Sequence, residues 1–182
     1  LKECPFFVGR YLRSVQNRES PQWLKNRLIG IGLNPISALV DITNYLTFDR
    51  ARPLHVFDAD KLSGGLTVRR SFEGEKFHAL DDKIYDLNEG MIVITDEKEI
   101  VSLGGIIGGM KSAVSDETKN VLLEAAYFDP ISIAATGRKL QINSDARYRF
   151  ERGVDPSFTL SGSHIATKMI LDLCGGEASD II

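Results

Sequence analysis

Three stretches of this sequence put reactive or ligand-seeking groups where they could do chemistry. His55 lies in Arg52-Pro53-Leu54-His55-Val56-Phe57-Asp58. That segment reads as part of a loop from Arg50 to Asp60, and an imidazole near carboxylates there orients water or acts as a base near neutral pH. A lone loop histidine also serves as plain polar filler. Glu124 interrupts the apolar run Val121-Leu122-Leu123-Glu124-Ala125-Ala126-Tyr127-Phe128. One face of such a strand is buried, and a buried carboxylate demands a partner. The partner is an arginine or backbone donor in a structural role, or a ligand hydroxyl or amine in a functional one.

The third stretch is Gly104-Gly105-Ile106-Ile107-Gly108-Gly109-Met110-Lys111-Ser112. Glycines let backbone N–H groups approach an anion, but a phosphate loop needs glycine directly before the Lys-Ser pair, and Met110 stands there. Ile106 likewise occupies the place of the second glycine in a dinucleotide fingerprint. What is left is either a pair of tight turns closing a strand or a concave wall where a ligand lies against bare backbone. Further on, Ser144 to Gly153 interleaves Arg147, Arg149 and Arg152 with Tyr148 and Phe150. This suits phosphate binding and base stacking, or a salt-bridged structural turn, which is the reading favoured for most of these charges. His55, His78 and His164 come with neither paired cysteines nor an H-x-x-x-H spacing, so no metal is assigned.

These groups must be positioned by a chain of 182 residues, 43% hydrophobic, enough for one large domain or two intimately packed subdomains. The net charge of −3 excludes a broad basic face for nucleic acid, so any such contact is local. Cys4 and Cys174 lie far apart, with no signal peptide and no apolar run long enough for a membrane span. Reduced thiols in a cytoplasmic protein are expected. Leu1 in place of Met, leading straight into an apolar run, suggests a piece of a longer polypeptide.

The elements follow from periodicity. Phe6 to Val15 reads as a strand. Ser20-Pro21 supplies an N-cap and a first-turn proline for a helix over Gln22 to Ile31, which Gly32 closes. Pro35 opens a second helix through Ile36, Leu39, Val40 and Tyr45, carrying Thr43 and Asn44 near its end. Short strands are predicted over 66–70, 76–80, 83–86, 91–95, 100–103 and 120–125, with Asp81-Asp82 as a hairpin turn. Asp129-Pro130 returns the chain to helix, and a last helix runs from Asp155-Pro156 to Cys174 before Gly175-Gly176. The order helix, sheet, helix predicts an α+β fold with mainly antiparallel sheets flanked by helices.

In their order and wording these segments resemble the B3/B4 region of bacterial-type phenylalanyl-tRNA synthetase beta subunits. The stretches that carry the resemblance are Ser20-Pro21-Gln22-Trp23-Leu24, Val40-Asp41-Ile42-Thr43-Asn44-Tyr45, Pro53-Leu54-His55-Val56-Phe57-Asp58, Leu103 to Gly109, Leu123 to Pro130 and Tyr148 to Pro156. The resemblance implies a layered β/β/α arrangement over residues 1–182 and an editing pocket. His55 and Glu124 then match the family's hydrolytic positions, with Thr43, Asn44, Gly105, Gly108 and Ala146 matching its binding positions. Ser144-Asp145-Ala146 stands where the family usually has Thr-Asp-Ala, keeping the hydroxyl that with Thr43 and Asn44 would hold the polar ends of a substrate. Ala51-Arg52 replaces the family's frequent Gly-Gln and adds charge to the loop.

The implied reaction is hydrolysis of tyrosine misattached to phenylalanine tRNA. An apolar synthetic site rejects an added hydroxyl only by roughly 10²-fold. A second site that hydrogen-bonds the hydroxyl selects the error, because phenylalanine there leaves a buried polar group unpaired at ~1–3 kcal/mol. Glu124 is the candidate sensor. The implied partners are the tRNA acceptor end, tyrosine, the alpha subunit and the other beta-subunit domains, with no membrane. No cofactor is expected in this segment, since ATP and magnesium belong elsewhere in such enzymes. The alternative is a non-catalytic module that positions tRNA within the same subunit.

Overall fold

The computed structural model describes residues 1–182. Strand β1 (Phe6–Arg13) ends where Ser14 turns into the left-handed region at φ 57°, two residues short of the predicted Val15. Helix α1 (Gln22–Gly30) buries Leu24 and Leu28, four residues apart on one face. Ser20 does not cap it. Pro21 holds the N-cap position, and the Ser20 hydroxyl instead donates to Asp41 Oδ2 at 2.6 Å. Asp41 is fully buried, and its other oxygen accepts from the backbone N–H of Ile36 at 2.8 Å. These bonds explain why helix α2 (Ala38–Asp49) begins at Ala38 and not at Pro35: the Ile36 amide is held by a side chain outside the helical ladder, and Ile36 itself is exposed.

The largest departure from expectation follows α2. The segment Arg50 to Asp60, predicted as a loop, contains strand β2 (His55–Asp58), so His55 stands at the start of a strand. Its charged neighbours obscured the β-forming Val56-Phe57 pair. Strands β3 (Thr67–Arg70), β4 (Lys76–His78), β5 (Ile84–Asp86), β6 (Ile92–Thr95) and β7 (Ile100–Leu103) fall within the predicted ones. Asp82, at φ 61°, makes the turn between β4 and β5. The two-residue β8 (Ile107–Gly108) leaves the glycine run, and β9 (Val121–Tyr127) carries Glu124. Helix α3 (Pro130–Leu140) is capped by Asp129, whose carboxylate accepts from the Ser132 N–H. A short helix α4 (Asp145–Phe150), α5 (Thr159–Cys174) and an unpredicted terminal strand β10 (Glu177–Ile181) complete the chain.

The result is an α+β fold in which the described strand pairs are antiparallel. The chain divides into two compact units. The first comprises Leu1–Phe7, Lys61–Ala113 and Ala126–Val154, with the sheet β3-β6-β7-β8, the ribbon β4-β5, and α3 and α4. Its buried apolar side chains include Phe77, Val93, Ile94, Leu103, Phe128, Ile133 and Phe150, with the Phe128 and Phe150 rings edge-on at 5.2 Å. The second comprises Val8–Asp60, Val114–Ala125 and Asp155–Ile182 and holds most of the sheet β10-β1-β9-β2. There α1, α2 and α5 pack Leu24, Leu28, Leu39, Ile42, Leu46, Ala166 and Ile170 against Leu12, Val56, Val121 and Leu123 of the sheet. Neither Cys4 nor Cys174 forms a disulfide.

Candidate functional site

Strands β2 and β9 pair with His55 opposite Glu124, Val56 opposite Leu123, Phe57 opposite Leu122 and Asp58 opposite Val121. Side chains alternate between the two faces of a strand, so this register divides the pairs. Val56, Leu123 and Val121 belong to the helix-packed core of the second unit. His55, Glu124, Phe57 and Leu122 therefore project from the opposite face. Directly opposed residues carry their Cβ atoms roughly 5 Å apart, which makes the imidazole and the carboxyl neighbours. The Phe57 ring meets the imidazole edge-on at a centroid distance of 4.4 Å and holds its plane.

Both groups are polar and shielded. Glu124 is 6% exposed, and its Oε2 has no hydrogen-bond partner. His55 is half-buried as a residue, but its Nε2 is out of solvent contact and also without a partner. Burial disfavours the charged form of each. It lowers the imidazole to about 4 and pushes the carboxyl up to about 8. Near pH 7 the pair is neutral on both sides. A protonated carboxyl donates through O–H and accepts through C=O, which suits a hydroxyl partner, while a neutral imidazole orients water without bringing charge. An imidazole titrating so low is a poor proton acceptor, so orientation outranks proton abstraction.

The other expected residues fall in two places. Thr43 and Asn44 lie in α2 of the second unit, where the buried Thr43 hydroxyl donates to the Val40 carbonyl at 2.8 Å. Gly105, Gly108, Ser144 and Ala146 belong to the first unit. Gly105 turns the chain at φ 69°, and a Cβ there would lie 2.8 Å from the Phe128 ring and 2.9 Å from Ile133 Cδ1. Only glycine fits that turn. Gly108 has ordinary strand geometry and pairs with Ser102. The Ser144 hydroxyl donates to the Ile106 carbonyl at 2.6 Å and accepts from the Arg147 N–H at 3.0 Å, tying the glycine turn to the start of α4, the helix that carries Ala146. Its one proton is committed to structure, so it can only accept further bonds. The sequence reading missed Phe57 as the residue that orients His55; the alternation His55-Val56-Phe57-Asp58 was its signal.

The sequence profile described as the B3/4 domain matches residues 3–175. The chain belongs to the B3/4 domain family. This B3/4 chain is 59% identical to the phenylalanine–tRNA ligase beta subunit of Ruegeria pomeroyi, over 98% of its own length and 22% of the relative's. It is equally 59% identical to the beta subunit of the same name from Cereibacter sphaeroides, over 100% of its length and again 22% of the relative's. The B3/4 chain thus spans about a fifth of the curated relatives it matches. Among solved structures, an N-terminal fragment of the phenylalanyl-tRNA synthetase beta subunit from Pyrococcus horikoshii has the same fold, with a TM-score of 0.63 at 13% identity, covering 97% of this chain and 47% of that one.

Proposed function

We propose that this chain is the editing region of a phenylalanine–tRNA ligase beta subunit and hydrolyses the ester of tyrosine misattached to phenylalanine tRNA. The observation that carries this reading is the opposed pair of neutral, shielded polar groups, Glu124 and His55, each with an atom that meets no partner. A buried polar atom left unsatisfied costs about 1–3 kcal/mol, and the phenolic hydroxyl of tyrosine offers Glu124 the missing partner where phenylalanine offers none. Family membership and the likeness to beta subunits support the same reading.

In this proposal Glu124 holds the phenol, and His55 orients the attacking water or a ribose hydroxyl. The aminoacyl ester is already reactive, so placing water and stabilising the developing oxyanion suffices. The commitment of the Ser144 proton to Ile106 argues against a serine nucleophile and for direct attack by water. Substrate-binding roles go to Thr43, Asn44, Gly105, Gly108, Ser144 and Ala146. The alpha subunit and the remaining beta-subunit domains are the proposed partners, and ATP and magnesium are assigned to them. No helix of the chain is long and apolar enough to cross a membrane, and the cytoplasm is the proposed compartment.

The test is release of tyrosine from mischarged phenylalanine tRNA by the wild type and by Glu124→Ala. Loss of the preference for tyrosine over phenylalanine in the variant is expected. A variant that still discriminates the two removes Glu124 from the sensor role. A wild type that binds tRNA without releasing tyrosine favours the tRNA-positioning alternative.

A further inference from the structure

The editing chemistry uses Ser144 and Ala146 of the run Ser144 to Gly153 but none of its arginines or aromatic rings, and the structure sorts those side chains by role. Arg147 points inward. Its side chain is 11% exposed, it pairs with Glu151 at 2.9 Å, and it donates to the Ile142 carbonyl at 2.7 Å. The absent side chain of Gly137 leaves room for it, since a Cβ there would sit 2.3 Å from Arg147 Nε. Phe150 is in the core. Arg149 is held against Asp145 of the same helix.

Tyr148 and Arg152 are different. Tyr148 is 57% exposed, and the Arg152 guanidinium lies 3.7 Å from the centroid of its ring. Arg152 is fixed there by the Tyr148 carbonyl and by Glu151 Oε1, both at 2.8 Å, and its side chain is 53% exposed. An exposed tyrosine alone is ordinary. Here the ring is immobilised by a cation that is itself bonded in place, so a stacking partner finds a surface already ordered. Beside it opens a recess of about 350 Å³ lined by Asn143, Ser144, Asp145, Arg147, Tyr148 and Glu151.

The local charge agrees. Residues 130–154 carry Arg138, Lys139, Arg147, Arg149 and Arg152 against only Asp145 and Glu151, a net +3 in a chain whose total is −3. Arg138 and Lys139 are exposed in the last turn of α3.

We propose that the α3–α4 surface around Tyr148 and Arg152 docks single-stranded RNA, with one unpaired base stacked on the Tyr148 ring and its phosphates drawn by Arg152 and by the charge of α3. Every base has a π-face, so an aromatic ring with adjacent guanidinium groups binds unpaired nucleotides with little sequence preference. A patch of this size and charge is too small to grip a duplex, whose phosphates demand a wide basic face. The choice of RNA rests on the tRNA reading above. The surface itself does not depend on Glu124.

The experiment is binding of a fluorescein-labelled single-stranded RNA hexanucleotide to the 182-residue chain, with inorganic triphosphate as a competitor that carries charge but no base. Tyr148→Ala weakens hexanucleotide binding roughly 5- to 100-fold and leaves triphosphate binding as it was, while Tyr148→Phe stays within about 2-fold of wild type. Arg138→Ala with Lys139→Ala lowers the slope of log affinity against log salt by about one. Tyr148→Leu, apolar but not aromatic, repeats the loss if the alanine variant folds poorly. A wild type that binds no hexanucleotide overturns the proposal, as do Tyr148 variants that bind like wild type or lose hexanucleotide and triphosphate in parallel. The editing reading fails separately: hydrolysis of tyrosine ethyl ester, which carries no nucleotide, reads the chemistry at Glu124 without the RNA surface.

Discussion

His55 and Glu124 stand directly opposite one another in the β2–β9 register, on the face turned away from the core that Val56 and Leu123 anchor. Each is kept neutral near pH 7 by burial, from opposite directions: the imidazole has lost its affinity for a proton and the carboxyl has gained one. An ionised pair would attract, but here no ion pair forms, and each retains an unpartnered atom. In the proposed editing reaction it is the ligand that completes the hydrogen bonding of these two shielded groups.

Glu124→Gln tests the carboxyl without changing its shape. Its folded pKa of about 8 lies above its ordinary 4.5, so the folded chain holds the extra proton and the stabilisation is fully present below about 4.5. It is lost as pH rises through 8. The wild type therefore loses on the order of a few kcal/mol of unfolding free energy across that window, and the glutamine variant flattens the loss. Urea denaturation at pH 5, 7 and 9 reads the difference; parallel pH profiles contradict it.

His55 behaves in the opposite sense. Its folded pKa of about 4 lies below the ordinary 6.5, so its stabilisation is present above 6.5 and lost as pH falls toward 4. His55→Gln removes that acid-side loss. For hydrolysis, the acid limb of the pH–rate profile is expected near 4, with no inflection at 6.5. A midpoint near 6.5 in tyrosine release would show that the imidazole titrates as an ordinary solvated histidine.

Gly105→Ala places a methyl 2.8 Å from the Phe128 ring and 2.9 Å from Ile133 in a turn at φ 69°. Left-handed strain and overpacking together are expected to destabilise the chain by about 2–3 kcal/mol. Gly65→Ala, where a Cβ meets nothing within 4 Å, is the matched control and stays within about 0.5 kcal/mol. Thermal melts of both variants check this.

Arg52 and Gly162 should couple. The buried Arg52 donates to the Asp155 carbonyl, and its Cγ would lie 2.8 Å from a Cβ on Gly162 in α5. Gly162→Ala alone is expected to destabilise by ~1–2 kcal/mol through that clash. In an Arg52→Ala background the clash is gone, and alanine's helix preference makes the same change stabilising by up to ~1 kcal/mol. A double-mutant cycle in urea measures the change of sign, and additive effects rule the contact out.

Much of this protein was legible in its residues. Glu124 stood out because a carboxylate inside Val121 to Phe128 contradicts an apolar strand, and that contradiction survives folding as an unpartnered oxygen. Asp129 announced a helix cap, and it caps. Periodicity found most strands, since alternation is a local property, and antiparallel pairing was expected from the helix, sheet, helix order of the elements. Less legible were the ends of elements held by distant partners. Ser20 looks like a cap, but its hydroxyl is taken by Asp41, twenty-one residues on.

The tertiary structure alone decided which groups meet. Nothing in the local wording says that His55 faces Glu124, because strand register is fixed by pairing across sixty-nine residues of chain, and a slip of one residue would turn the imidazole to the other face. The protonation states are decided the same way, since the dielectric around a side chain depends on every element that covers it. Sequence thus set the chemical types and their local frames. Folding set their neighbours and their charge, because both depend on solvent exclusion by segments far apart in the chain.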